Sequence, residues 1–233
     1  MIVTLNEVEQ WCLRALAGAG TPAGIDEDAA WSAGWLVARG FPALELLVAA
    51  LDRCPDAAAA ARVSGTDAQT FDAGSRSAIF LAGGLIDSAV AAAASGAVPA
   101  RISVAALADP LFLLPIAERH RRRGWCFQLQ WRGAAAGLDG NGPRLLGEPS
   151  AFLSAIAVET SIACARQPLA DMHLPVTLRP SDLDDRYAAT LDKGVAVANE
   201  TWTRLKTLGM RALVPASEES RTRGAGSAAS DNE

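Results

Sequence analysis

A chain of 233 residues, half of them apolar, is long enough to bury the core of one large domain or two small ones. Its 26 acidic and 21 basic side chains leave a formal charge of −5, which argues against a nucleic-acid binder working through general electrostatics. The opening MIVTLNEVEQ lacks a basic segment ahead of an apolar one, and Asp87, glycines or proline interrupt the most apolar stretches, so neither a secretory leader nor a membrane span is expected and the location expected is cytoplasmic.

The first segment, residues 1–56, reads as three helices. Thr4 and Glu7 have capping-box spacing, and Leu5, Val8, Cys12 and Leu16 follow at helical intervals. A second helix fits between Asp26 and Gly40, with Trp31, Trp35 and Ala38 on one face. Pro42 suits the first turn of a third, which carries Leu44, Leu47 and Leu51 and ends at Cys54-Pro55. The stretch AAAAARVSGTDAQTFDAGSRS loses this period and reads as a crossing loop or linker.

From Ala78 the pattern changes, and residues 78–212 read as an α/β body. AIFLAG is expected to be a short strand, followed by an alanine-rich helix to Gly96 and a strand RISVAAL. Asp109-Pro110 opens a helical stretch ending in ERHRRRG, and WCFQLQW alternates cleanly as a half-buried strand. LDGNGPRLLGEP reads as a turn, FLSAIAVETSIACAR as one or two strands, and DMHLPVTLRP as extended chain. Ser181 and Asn199 are placed to cap two last helices, the second with Trp202, Leu205 and Leu208 on one face. The fold class expected is α/β or α+β, an N-terminal three-helix segment packed on a mixed sheet layer with flanking helices. The last segment, residues 213–233, divides into LVPASEESR, expected to dock, and a small polar end expected to be mobile beyond Gly226.

The four cysteines are widely spaced, without CxxC, and the two histidines have no metal-ligand neighbours at suitable spacing; free, buried thiols and no metal are expected. Gly83-Gly84, read as a strand-to-helix turn, could cradle an anion on backbone N–H groups or simply allow close packing. Arg121 and Arg122 either complement a helix C-terminus or hold a small anion. Asp184 and Asp185, in SDLDDRY, are candidate acid/base residues beside ordinary first-turn acids. Glu159, leaving an apolar strand, is a further candidate, with Arg166 or Arg179 as its expected partner. In the tail, Ser217, Glu218 and Arg221 are candidates to border a site.

The front segments LNEVEQWCLRALAGAG and AAWSAGWLVARGFPAL, with LVPASEESRTRGAG at the back, resemble an uncharacterised bacterial family, domain-of-unknown-function family 3726, along the whole chain. The end departs from that pattern, reading GAGSAASDNE. The resemblance implies no activity, ligand or catalytic residue. The front segment is also distantly similar to the N-terminal helices of type-2 malate/L-lactate dehydrogenases, which share a helix–Gly–helix opening. Where those enzymes have a Ser-His-Gly motif, this chain reads Phe41-Pro42-Ala43-Leu44, so the resemblance implies a helical cap on an α/β body and a shared way of pairing subunits, but not that family's hydride-transfer mechanism.

The leading functional expectation is a non-catalytic ligand- or partner-binding accessory protein of bacterial small-molecule metabolism, needing no cofactor. Its N-terminal helices would pair with a second copy or a partner protein; neither nucleic acid nor membrane is expected as a partner. The alternative is an enzyme acting on a small anionic metabolite, held by arginines and worked by a carboxylate. A deep pocket with a carboxylate and two converging arginines favours the enzyme; a flat apolar patch on the tryptophan-rich helices favours the accessory role.

Overall fold

The computed structural model describes residues 1–54, 56–60, 64–65, 69–96, 98–154, 156–170 and 172–212. Helix α1 (Leu5–Gly18) begins at Thr4, whose hydroxyl accepts from the Glu7 N–H at 3.2 Å while the Glu7 carboxylate accepts from the Thr4 N–H at 2.8 Å. This is the reciprocal cap that the sequence spacing anticipates, and it satisfies two donors the first turn would otherwise leave open. Helices α2 (Ile25–Val37) and α3 (Ala43–Arg53) follow as expected. Trp35 is buried between them and the body, while Trp31 is half-buried beneath Arg119, whose guanidinium lies 4.2 Å from its ring.

The stretch expected to be a linker contributes structure. It holds a helical turn α4 (Ala57–Ala60), strand β2 (Ser64–Gly65) and strand β3 (Thr70–Asp72). The expected strand AIFLAG is instead the first turns of helix α5 (Ala78–Ala94), capped by the Ser77 hydroxyl, which accepts from the Ile79 N–H at 3.2 Å. A short apolar run has no period of its own, so a strand and a fully buried helix look alike until a cap or a length decides. Strand β4 (Ala100–Leu107), a 3₁₀ turn at Pro110–Phe112, helix α6 (Leu113–Arg121) and strand β5 (Cys126–Trp131) then follow. In β5 the side chains of Phe127, Leu129 and Trp131 are buried on one face, together with Trp125 just before it; Gln130 is exposed and Gln128 half-buried, its amide donating to the Ala170 carbonyl.

The segment read as a turn is a hairpin, β6 (Ala134–Asp139) and β7 (Gly142–Gly147), joined through Gly140 and Asn141. Helical turn α7 (Pro149–Phe152), β8 (Val158–Ala165), β9 (Val176–Leu178), α8 (Pro180–Lys193), β10 (Val195–Ala196), α9 (Asn199–Gly209) and a 3₁₀ turn at Met210–Ala212 complete the described chain. Helix α8 starts one residue before Ser181 and α9 at Asn199 itself, so neither residue is the cap expected of it. Among the described residues the main sheet runs β2-β3-β4-β8-β5-β6-β7-β9, with β3 and β4 parallel and the other neighbours antiparallel. A second, two-stranded sheet pairs β1 (Ile2–Val3) with β10. The fold is therefore an α/β one with a mixed sheet, as the composition and patterning predict.

Apolar side chains from both parts merge in one core. Val8, Leu16, Leu36, Leu44 and Leu47 of the first helices belong to the same cluster as Ile102, Phe112, Phe127 and Ile162 of the body. Helix α1 meets α9 closely because two glycines leave room: a Cβ on Gly18 would lie 2.1 Å from the Leu208 carbonyl oxygen, and one on Gly209 would lie 3.1 Å from the Arg14 Cβ. No helix of the described residues is long and apolar enough to cross a membrane.

Candidate functional site

Four distant pieces of chain meet around a cleft of about 320 Å³: Trp35 and Arg39 at the end of α2, Glu118, Arg121 and Arg122 at the end of α6, the β6–β7 turn through Gly140, Asn141 and Gly142, and Pro180 and Asp184 of α8. Gly142 has a positive φ of 108°, and a Cβ there would stand 3.1 Å from the Pro180 Cβ, so glycine lets the hairpin turn approach the start of α8. Below that turn, the Asp139 carboxylate pairs with Arg144 and accepts from the Asn141 N–H at 2.8 Å. Burial pushes the Asp139 carboxyl up, but these bonds and the nearby guanidiniums outweigh it and hold it below its ordinary value.

Glu118 is almost fully buried, and its carboxylate accepts from Arg121 Nε at 2.5 Å and Nη2 at 2.9 Å, and from Arg122 Nε at 3.3 Å. Arg121 Nη1 donates to the Asp139 carbonyl at 3.3 Å. The bidentate bond to Glu118 raises the Arg121 pKa, so this guanidinium is fixed in place and firmly charged.

Arg39 is in a different situation. Only 7% of it is exposed, and its guanidinium lies 3.8 Å from the Trp35 ring centroid and 4.9 Å from that of Tyr187. Its Nη1 donates to the Trp35 carbonyl at 3.1 Å, but its Nε and the neighbouring Trp35 Nε1 are buried without a hydrogen-bond partner. Among the described residues Arg39 forms no ion pair. Burial lowers its pKa against the pull of Asp184 and Glu118. A buried guanidinium with unused donors is costly unless something pairs with it. Three guanidiniums against the two carboxylates of Glu118 and Asp184 leave the cleft with one net positive charge.

Of the residues singled out in the sequence, Arg121, Arg122 and Asp184 come together here, whereas Asp185 is exposed and does not line the cleft. Glu159 is exposed on β8, and its expected ion pair is not formed: Arg166 stacks 3.7 Å over Trp125 and donates to the Arg123 carbonyl, while the Arg179 N–H donates to Asp182. Water solvates a carboxylate at that position, so it needs no protein partner. Gly83 and Gly84 sit inside α5, not in a turn, so their N–H groups belong to the helix ladder and the anion-cradle reading fails. They line a separate hollow of about 110 Å³ with Ile25, Phe112 and Ile116. Ser217, Glu218, Arg221 and the split-tail expectation lie outside the described residues.

The sequence reading missed Arg39, Trp35 and Glu118 as site residues. The available signals were an arginine ending the apolar run WLVA, and a glutamate three and four residues before Arg121 and Arg122. Burial pushes the Cys164 thiol up to about 12 and raises Cys12 and Cys126 as well, which disfavours their thiolates; Cys54 is half-buried, not buried as expected. No group of three or more His, Cys, Asp or Glu side chains suited to a metal gathers among the described residues.

Solved structures similar in fold to this chain include dehydrogenases and a reductase. The dehydrogenase from Sinorhizobium meliloti superposes with a TM-score of 0.60 at 12% identity, covering 90% of this chain and 99% of that one. Malate dehydrogenase from Pyrococcus horikoshii gives 0.61 at 9% identity, over 91% and 95% of the two chains. Sulfolactate dehydrogenase from Methanocaldococcus jannaschii gives 0.58 at 7%, over 91% and 97%. No curated protein matches the sequence. The distant similarity of the front segment to malate/L-lactate dehydrogenases is thus a likeness of fold along nearly the whole chain. Together with the arginine-lined cleft, it overturns the expectation of a non-catalytic accessory protein. Residues 3–85 match the model of the family described as a protein of unknown function, DUF3726, the family that both ends of the chain resemble; the match covers the front segments and not the back one.

Proposed function

We propose that this protein is an enzyme acting on a small organic acid, bound through Arg39 with Arg121 and Arg122 around it, and that Asp184 is the group that takes and returns a proton. The observation that carries this reading is the buried Arg39 guanidinium, which lines the cleft with unused N–H donors and no protein carboxylate paired to it. Guanidinium forks match carboxylates in geometry and charge, and a ligand carboxylate would supply what Arg39 lacks. Glu118 is held by two arginines and serves to position them; Asp184, on the rim, is the carboxylate left for acid/base work. The named fold neighbours include enzymes of malate and sulfolactate, which supports an organic acid as the substrate class, although both of those acids carry two acidic groups.

Hydride transfer is the reaction class that those neighbours favour, and it is the second reading. The chain has Phe41-Pro42-Ala43-Leu44 where the dehydrogenases of the resemblance carry their histidine, and Gly83-Gly84 offers no phosphate cradle, so neither of these segments supports hydride transfer with a dinucleotide. A thermal-shift screen of 2-oxo and 2-hydroxy acids tests binding, because a ligand of the native state must raise the melting temperature. Arg39→Met should abolish the shift while the variant remains folded. Turnover of the hits is then followed with and without NADH or NADPH. Absence of any shift across the panel, or a shift retained in Arg39→Met, would overturn the proposal.

A further inference from the structure

We infer that the cleft selects acids carrying a single carboxylate and disfavours dicarboxylates, with Asp184 as the specificity-determining residue. This rests on the organic-acid reading above and deepens it. What decides it is which donors are already used. The fork of Arg121 is filled by Glu118 through Nε and Nη2, and its other terminal nitrogen serves the Asp139 carbonyl. Arg122 gives its Nε to Glu118, and 68% of its side chain is exposed, so water screens what charge it still presents. Arg39 alone combines burial with unused donors, and a single carboxylate satisfies it.

A second carboxylate on the same small ligand has no comparable partner. Within about 320 Å³ it can reach the terminal nitrogens of Arg122, which are exposed and screened by water, or else lies near Glu118 or Asp184 or against the neutral surface of Asn141, Pro143 and Trp35. The cleft has one net positive charge, so the first carboxylate neutralises it and the second gains no net attraction while standing near the carboxylates of Glu118 and Asp184. Arg186 does not change this balance. It donates to the Arg39 carbonyl at 3.3 Å and lines the neighbouring hollow with Phe41, Phe152 and Leu178. Specificity here is therefore built by repulsion as well as by attraction.

The test is isothermal titration of the full chain with matched pairs, pyruvate against oxaloacetate and lactate against malate. The single-carboxylate member of at least one pair should bind about tenfold or more tightly, a difference of about 1.4 kcal/mol. Asp184→Asn, at an exposed rim position, raises the net charge of the cleft to two. It should strengthen dicarboxylate binding by roughly tenfold more than it strengthens monocarboxylate binding. A parent protein that prefers the dicarboxylate, or an Asp184→Asn variant with unchanged preference, overturns the selectivity and leaves the organic-acid reading standing. Failure of every acid to bind the parent overturns that reading and the selectivity with it.

Discussion

Two buried charges in this molecule are answered in opposite ways. Asp109, 1% exposed at a left-handed φ of 52°, accepts from Arg53 through Oδ2 at 2.7 Å while its Oδ1 is buried without a hydrogen-bond partner, and the ion pair ties helix α3 to the junction between β4 and α6. Arg39, nearly as deeply buried, has aromatic rings and a carbonyl for neighbours but no carboxylate bonded to it. The first is a closed ion pair, its countercharge supplied by the protein even though one carboxylate oxygen stays unbonded. The second has no carboxylate bonded to it among the described residues. The lesson is that burial of an ionised group, or one unbonded polar atom, does not by itself mark a site; the missing countercharge is the stronger sign.

The largest expected effect comes from removing the ring beneath Arg39. Trp35→Ala should destabilise the protein by about 3–5 kcal/mol, read as a lower urea midpoint, because a large buried side chain is lost. A near-normal midpoint would mean that Trp35 is not part of the packed wall. Next, Arg121→Ala leaves Glu118 buried with only the long Arg122 contact, and should cost about 3 kcal/mol. The double variant Arg121→Ala/Glu118→Ala should recover part of that loss, which distinguishes an ion pair from simple packing.

The closed contact is tested by Arg53→Ala, expected to cost about 1–3 kcal/mol, since the Asp109 carboxylate would lose its charged donor. It also predicts a pH dependence. Burial pushes the Asp109 carboxyl above its ordinary value, against the pull of Ser77 and Arg53. The native state therefore binds the proton more tightly than the unfolded chain does, and the associated stability is fully present below the ordinary value of about 3.9 and is lost as pH rises through the raised one. Asp109→Asn lacks this contribution, so its stability relative to the parent should improve as pH climbs through that window. A constant difference would show that Asp109 titrates normally.

Arg39→Met should behave in the opposite manner: stability within about 1 kcal/mol of the parent, because desolvation is relieved as stacking is lost, but no organic-acid binding. A loss of several kcal/mol would make Arg39 a structural residue like Asp109 and erase the contrast. The smallest effect concerns Gly84, exposed inside α5, where a Cβ would meet nothing within 4 Å. Gly84→Ala should stabilise by about 0.5–1 kcal/mol through helix propensity and leave binding untouched.

The caps and clean periods are legible in the sequence. Thr4 with Glu7, the faces of α1 and α3, and the alternation of β5 each follow from local spacing. What escapes are elements without local signature. AIFLAG has no period, and the strand β6, AAAGLD, is built mostly of alanine and glycine, which carry no β preference and become strand only by pairing with β5 and β7. The site is legible only in part for a similar reason. Arg121 and Arg122 stand out as a cluster, but a lone arginine such as Arg39 gains meaning only when α2, α6, the hairpin turn and α8 converge on it.

The position of β8 has a consequence for how the molecule assembles. Strands β5, β6 and β7 follow one another through short turns and can pair as soon as they exist, whereas β8, later in the chain, is inserted between β4 and β5 and bonds to both. Neighbours close in sequence pair first because little loop entropy opposes them, and the insertion waits on contacts that span dozens of residues. The turn that forms one wall of the cleft lies on the early meander, while α8, the opposite rim, comes after β8 in the chain. A chain that ends before β8 therefore carries the hairpin wall but not α8, the opposite rim of the cleft.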